Sequence, residues 1–178
     1  MRRLCDEYAK ALYEIAQEEA LEDVIASQLK DISGVVSDNP EYIKLLDNPA
    51  IDKSERVALA REAFAGANEY LLNFLMLLTE ARGISELSDC AARLGKLYDE
   101  AHGIVRAELI SAVDIDSDRQ NSIIQKLEAK TGKKVVLTLK KDSALLGGAL
   151  LRYNGKQIDM SVRSSLNKLS EIIARSDI

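Results

Sequence analysis

The spacing of apolar residues changes near Gly103, and this change constrains the fold more than any other feature of the sequence. Before it, apolar residues recur every three or four positions, which is typical of amphipathic helices. After it, Val105, Ala107 and Leu109 alternate with charged residues, as in a strand with one buried face. We therefore expect a mainly α protein whose C-terminal part has a different architecture.

The N-terminal part, residues 1–103, is predicted to form a six-helix bundle. Pro40 suits the first turn of the third helix, and Gly83 is expected to end the fifth. Ser85 is the expected N-cap of the sixth helix. The fifth helix, from about residue 68 to 82, is apolar almost all round, so we expect it at the centre of the bundle.

The C-terminal part, residues 104–178, is predicted to be a small α+β domain. Two alternating segments flank a helix that starts at Ser117 or Asp118 and that Gly132 ends. Two further strands flank Asn154–Gly155, a pair typical of a hairpin with a type I′ turn. The apolar spacing then predicts a last helix from about residue 162 to 173.

The charge of the chain is divided unequally between these parts. The formal net charge of −5 comes from 24 basic and 29 acidic residues. Through Val105 there are 11 basic and 20 acidic residues, a net charge of −9, whereas the remainder has 13 and 9, a net charge of +4. Such asymmetry suggests two domains with different partners.

The two cysteines and the N-terminus give no sign of a redox motif or of export. Cys5 and Cys90 lie far apart in the sequence without CxxC spacing, and we expect reduced thiols in the core. The N-terminus becomes acidic before an apolar stretch develops, which argues against a secretory signal. The longest apolar stretch, residues 70–78, is too short to span a bilayer.

No catalytic, cofactor-binding or metal-binding constellation is predicted. His102 is the only histidine, and we assign it a boundary or C-capping role. The Gly132–Lys133 pair lacks the glycine five positions earlier that a phosphate-binding loop needs. The alternating residues Asp114, Asp116 and Asp118 lack the glycine and glutamate of a calcium loop, so helix capping is the preferred interpretation.

A lysine-rich stretch in the C-terminal part leaves a second function open, that of a nucleic-acid-binding adaptor. It has no interleaved aromatic residues, and the acidic N-terminal part would repel phosphate, so a solvated or protein-facing surface is preferred. The stretch consists of Lys126, Lys130, Lys133, Lys134, Lys140 and Lys141.

The chain resembles the delta subunits of bacterial F-type ATP synthases, which are counterparts of the mitochondrial oligomycin-sensitivity-conferring protein. The resemblance extends over essentially the whole chain. Its most specific segment has a glycine pair, an apolar strand, Ile-Asp and Ser-x-Arg in a fixed order, at Gly147, Gly148, Ile158, Asp159, Ser161 and Arg163. The weaker segments are YAKALYEIA, LLDNPAIDKSER and NFLMLLTEARGISEL, at residues 8–16, 45–56 and 73–87.

The resemblance implies a connector without catalysis. The helical domain would receive the N-terminal helix of an alpha subunit of the catalytic headpiece in a groove between its first and fifth helices. The C-terminal domain would bind the C-terminal ends of the b subunits of the peripheral stalk. The expected groove positions are Tyr8, Ala11, Leu12, Ile15, Asn73, Phe74 and Leu77.

The same resemblance sets the expected location and cofactor requirement. A stator subunit of a proton- or sodium-translocating synthase would lie at the cytoplasmic face of the bacterial cell membrane, attached through the complex. It would need no cofactor and would bind no nucleic acid.

Overall fold

The computed structural model describes residues 2–142, 145 and 147–160. The predicted last helix, including Ser161 and Arg163, lies outside the described residues. The chain divides into two compact units, Met1–Tyr98 and the remainder from Asp99 onward. The protein is mainly helical, with a small four-stranded sheet in the second unit.

The first unit is built from short helices. Pro40 occupies the first turn of the third helix, as predicted, because a missing N–H costs nothing there. The helices are α1 (Arg2–Glu18), α2 (Glu22–Asp38), α3 (Pro40–Leu46), α4 (Lys53–Ala63), α5 (Glu69–Glu80) and α6 (Leu87–Ala101).

The core of the first unit forms largely around α5, which buries six of its side chains. Leu71, Leu75 and Leu78 are completely buried. The helix is nevertheless not buried on every side, because Asn73 is exposed and Leu77 is 52% exposed. One stripe of α5 therefore faces away from the core.

The C-terminal end of α5 differs from the prediction in its detail. Arg82, rather than Gly83, is in the left-handed conformation, with φ of 57°. The amide of Gly83 donates to the carbonyl of Leu78 at 2.8 Å, and the amide of Arg82 donates to that of Thr79 at 3.2 Å. These two bonds form a Schellman motif. Gly83 follows the left-handed position instead of occupying it.

The start of α6 also corrects a prediction. Ser85 is not an N-cap, because it lies in a 3₁₀ turn, Ile84–Glu86, that leads directly into α6. Its amide donates to Oδ2 of Asp47 at 3.2 Å. The 3₁₀ turn supplies the first turn of the helix, so no hydroxyl cap is needed there.

Arg56 of α4 is a buried cation, with 2% of its surface exposed. Its Nη1 atom donates to the carbonyl of Leu46 at 3.0 Å and to that of Thr79 at 2.8 Å. These carbonyls lie in the last turns of α3 and α5. A positive charge is favourable near the negative end of a helix dipole, so Arg56 ties two helix ends together.

The prediction of two reduced thiols is wrong, because Cys5 and Cys90 form a disulfide. Their Cα atoms lie 5.0 Å apart, within the range that a disulfide spans. Cys5 lies near the start of α1 and Cys90 near the start of α6, two helix ends that packing brings together. The expected burial is confirmed, since the two residues are 4% and 0% exposed.

The second unit contains a mixed sheet with strand order β2-β1-β3-β4. Strand β1 pairs in parallel with β2 and antiparallel with β3, and β3 and β4 form an antiparallel hairpin. Helix α7 connects the two parallel strands. The elements are β1 (Ile104–Ser111), α7 (Ser117–Thr131), β2 (Lys134–Lys141), β3 (Ala149–Tyr153) and β4 (Lys156–Asp159).

Two turn predictions in the second unit are confirmed. Gly132 ends α7 in the left-handed conformation, with φ of 67°. Asn154 and Gly155 both have positive φ, 48° and 70°, as a type I′ turn requires. The N-cap of α7 is Asp116, whose side chain accepts from the amide of Arg119, so the capping interpretation of the aspartates holds for this one.

The core of the second unit lies on one face of the sheet. In register across three strands, Leu109 of β1 faces Leu139 of β2 and Leu151 of β3. Alternation along each strand places every second residue on this face. The buried cluster consists of Val105, Ala107, Leu109, Leu127, Val135, Leu151 and Tyr153.

Candidate functional site

The predicted groove positions fall on two helices that pack against each other, α1 and α5. Leu12 and Phe74 are buried, with 4% and 5% of their surfaces exposed, so they belong to the core. The other five positions retain accessible surface. They are Tyr8, Ala11, Ile15, Asn73 and Leu77.

The exposed positions form one stripe on each helix. On α1, residues 8, 11 and 15 follow helical spacing, and on α5 residues 73 and 77 are four apart. Ile15 is 38% exposed and Leu77 is 52% exposed, which is unusual for large apolar side chains. Each helix thus presents a large apolar side chain that the core does not cover, Ile15 on α1 and Leu77 on α5, and Asn73 adds an exposed amide beside Leu77.

A side-chain contact sets the relative direction of the two helices. Glu19, directly after α1, hydrogen-bonds with Tyr70, the second residue of α5. The end of α1 therefore meets the start of α5, and the helices run antiparallel. With a rise of about 1.5 Å per residue, we expect Ile15 near the level of Asn73, and Ala11 near the level of Leu77. The two stripes are then expected to run alongside each other.

Tyr70 belongs to this surface and was not among the predicted positions. It is partly buried and lies three residues before Asn73, on the same stripe of α5. The negative charge of Glu19, together with the hydrogen bond to it, raises the pKa of the Tyr70 hydroxyl. The helical spacing of residues 70, 73 and 77 was the signal that could have identified it.

The glycine pair of the C-terminal motif precedes β3. Gly147 and Gly148 have φ of 145° and 81°. These values favour glycine, because a Cβ atom would clash with the backbone. On β4, Ile158 is 36% exposed and Asp159 is also exposed. Four of the six motif positions thus lie within the described residues, around the β3–β4 hairpin.

The face of the sheet opposite the core carries a charged cluster centred on Glu108. Its Oε1 atom lies 2.6 Å from Nζ of Lys140, and its Oε2 atom lies 3.5 Å from Nη1 of Arg152. The hydrogen bond from Lys140 is the main cause that lowers the pKa of Glu108, and the charge of Arg152 adds to it. Arg152 also donates from Nε to Gln157 at 3.1 Å.

The lysine-rich stretch is only partly paired with acidic groups. Lys140 lies close to Glu108, and Lys141 lies 2.7 Å from Asp114. Lys126 and Lys130 are exposed on α7, four residues apart and therefore on one side of the helix. The exposed side of α7 is consequently a basic surface.

Other candidate sites give no chemistry in the described part of the chain. His102 lies in the turn between α6 and β1, as its boundary role predicts. Among residues 2–142, 145 and 147–160, no three His, Cys, Asp or Glu side chains are grouped as a metal ion would require. Within the same ranges, no helix is both long and apolar enough to cross a membrane.

The architecture matches that of a chain in a solved ATP synthase assembly. The matching chain comes from the cryo-EM structure of the Toxoplasma gondii mitochondrial ATP synthase hexamer, with a TM-score of 0.71. The match covers 96% of this chain and 97% of the other at 18% sequence identity. The chain therefore has the same fold as this chain of an ATP synthase.

Sequence comparison then identifies the family. The profile of the ATP synthase delta (OSCP) subunit family matches residues 4–173. An ATP synthase subunit delta from Trichlorobacter lovleyi is 33% identical over 170 residues, covering 94% of each chain. One from Nostoc is 31% identical over 170 residues, covering 95% of this chain and 93% of the relative. The chain belongs to the ATP synthase delta (OSCP) subunit family, whose members are non-catalytic components of the complex.

Proposed function

We propose that this chain is the stator connector of an F-type ATP synthase. In this proposal, its first unit binds the N-terminal helix of an alpha subunit, and its second unit binds the C-terminal ends of the b subunits. The chain thereby resists the torque of the rotor and is attached to the membrane through the complex. Family membership favours the subunit assignment over the nucleic-acid adaptor.

The proposed contact with the alpha-subunit helix is supported by the exposed stripes on α1 and α5, two helices that pack against each other. An amphipathic helix binds in a groove by placing residues spaced three and four apart against apolar side chains. Ile15 and Leu77 offer such side chains, and Ala11 leaves room for an approaching helix. Leu12 and Phe74, on the same two helices, are buried in the core of the first unit.

The second contact is supported by charge and by an exposed apolar residue of β2. This strand is at the edge of the sheet, and its Leu139, which lies on the same face as the core residue Leu109, is 38% exposed. The basic side of α7 adds Lys126 and Lys130. A stalk helix with acidic and apolar residues would complement such a surface, since complementary charge aids both encounter and register.

The groove is tested with Leu77→Asp in the full chain. The partner is a synthetic peptide of the first 25 or so residues of the alpha subunit from the same organism, and the measurement is titration calorimetry. Leu77 is half exposed in the free chain, so the variant folds, but a bound helix would bury the new carboxylate without a partner. We expect affinity to fall at least about 30-fold, which corresponds to about 2 kcal/mol.

The matched control is Val35→Asp. Val35 is 63% exposed on α2, outside the proposed groove, and receives the same charge. It should bind the peptide as the unmodified chain does. Equal affinities for Leu77→Asp and Val35→Asp, with unchanged circular dichroism, would contradict the groove assignment.

A further inference from the structure

We propose that Cys5 and Cys90 form a thiol–disulfide exchange site that is attacked at Cys5 and that tethers α1 to α6 when oxidised. The substrate class is a dithiol, either a small molecule or a dithiol protein. This inference concerns the first unit alone and does not depend on the proposed partners.

Access to the two cysteines is unequal. Cys90 is completely buried, whereas Cys5 is 4% exposed and lines a surface cleft of about 240 Å³. Asp6, Glu86 and Arg93 also line this cleft. Because exchange needs a thiolate to approach one sulfur, the geometry assigns Cys5 as the sulfur that is attacked and Cys90 as the leaving group.

The surroundings of Cys5 also suit its reduced form. Its Sγ atom lies 3.4 Å from Oε2 of Glu86 and 3.5 Å from the Glu86 carbonyl oxygen. A Cys5 thiol would therefore have acceptors for its S–H group in place. Next to it, Arg93 and Asp6 are joined by an ion pair of 3.2 Å between α6 and α1. This pair is a second link between the two helices beside the disulfide, and reduction leaves it in place.

The exchange reaction needs only the disulfide and the dithiol. A thiolate of the dithiol attacks Sγ of Cys5, the bond to Cys90 breaks, and Cys90 leaves as a thiolate that takes up a proton. The second thiol of the reagent then attacks its own sulfur in the mixed disulfide and releases Cys5. The reagent is oxidised to a disulfide while Cys5 and Cys90 are reduced to thiols, and the reverse exchange restores the tether.

Oxidation is expected to stabilise the first unit. The disulfide closes a loop between residues separated by 85 positions, and cross-links across long loops restrict the unfolded chain strongly. Reduction should therefore lower the melting temperature by about 8 °C or more. The Cys5→Ser variant should melt at the same temperature with and without a dithiol.

The direction of attack is tested with two matched variants of the full chain, Cys90→Ser and Cys5→Ser. Each folded variant is treated with oxidised glutathione, and the mixed disulfide is followed by mass spectrometry. We expect Cys5 to react at least about 10-fold faster than Cys90, because only Cys5 reaches the cleft. Equal rates, or no adduct at either cysteine, would overturn the assignment.

The unmodified chain provides a test that does not depend on the variants. The folded chain is equilibrated with dithiothreitol at graded ratios of its reduced and oxidised forms, and free thiols are counted by maleimide labelling after acid quenching. We expect no free thiols at the oxidising end and two at the reducing end. The plot of free thiols against the ratio should be the same whether the chain starts oxidised or reduced. Two free thiols throughout, or none until the chain unfolds, would refute it.

Discussion

The conformation and burial of single residues in this chain could be predicted from the sequence only in part. Asn154–Gly155 was predictable, because its turn type depends on those two residues alone. The left-handed conformation of Arg82 was not predictable, because Gly83 follows it directly and glycine is the residue expected in that conformation. The burial of Arg56 was also hidden, since its hydrogen-bond acceptors are carbonyls 10 and 23 residues away.

The left-handed conformation of Arg82 predicts a stabilising substitution. A residue with a Cβ atom pays about 1 kcal/mol for this conformation, and glycine does not. We expect Arg82→Gly to raise the free energy of unfolding by about 0.5–1 kcal/mol, measured by urea denaturation. Arg82→Ala is the control, because it removes the exposed side chain and keeps the Cβ atom. If both variants had the same stability, backbone strain would not explain the gain.

At the scale of elements, local spacing predicted which segments form helices and strands but not which of their ends meet. The apolar period located both the helices of the first unit and the alternating strands of the second. The Cys5–Cys90 pair and the contact of Glu19 with Tyr70 depend on how helices pack. Such contacts join distant parts of the sequence, and one sequence carries no signal for them.

The pairing of strands also determines an electrostatic property, the lowered pKa of Glu108. Lys140 on β2 and Arg152 on β3 favour its ionised form in the folded chain. The unfolded chain loses these partners and binds a proton more readily. The stabilisation is therefore present above the ordinary pKa of 4.5 and is lost as the pH falls through the lower pKa of the folded state.

We expect Glu108→Gln to remove this pH dependence. Hydrogen exchange of the β1 amides should be faster in the variant than in the unmodified chain at pH 7, after correction for the intrinsic rates. The difference should shrink as the pH falls from 7 through the lowered pKa of Glu108, because the native carboxylate then takes up a proton. Glu100→Gln, an exposed substitution on α6, should behave as the unmodified chain does across this pH range. A difference that persists at low pH would point to packing rather than charge.

At the scale of the whole molecule, the two structural units carry net charges of opposite sign. Met1–Tyr98 has 11 basic and 18 acidic residues, a net charge of −7, and the remainder has 13 and 11, a net charge of +2. The apolar stripes of α1 and α5 should give binding that depends little on salt. The basic side of α7 should give binding that weakens with salt, because exposed charges are screened.

Two sites on separate units should also respond independently to substitution. The double variant Lys126→Glu, Lys130→Glu replaces two positive charges on the exposed side of α7 with negative ones. It should weaken binding of a peptide from the C-terminal end of the b subunits, most strongly at low ionic strength. This double variant should bind the alpha-subunit peptide with unchanged affinity. Leu77→Asp should instead weaken binding of the alpha-subunit peptide and leave binding of the b-subunit peptide unchanged.

The two effects should also be additive. In a chain carrying all three substitutions, the loss of binding free energy for each peptide should match that of the corresponding single-site variant to within about 0.5 kcal/mol. Calorimetry at 50 and 300 mM salt measures both partners. If the α7 variant weakened binding of the alpha-subunit peptide, or if salt left the affinity for the stalk peptide unchanged, charge would not be what distinguishes the two surfaces.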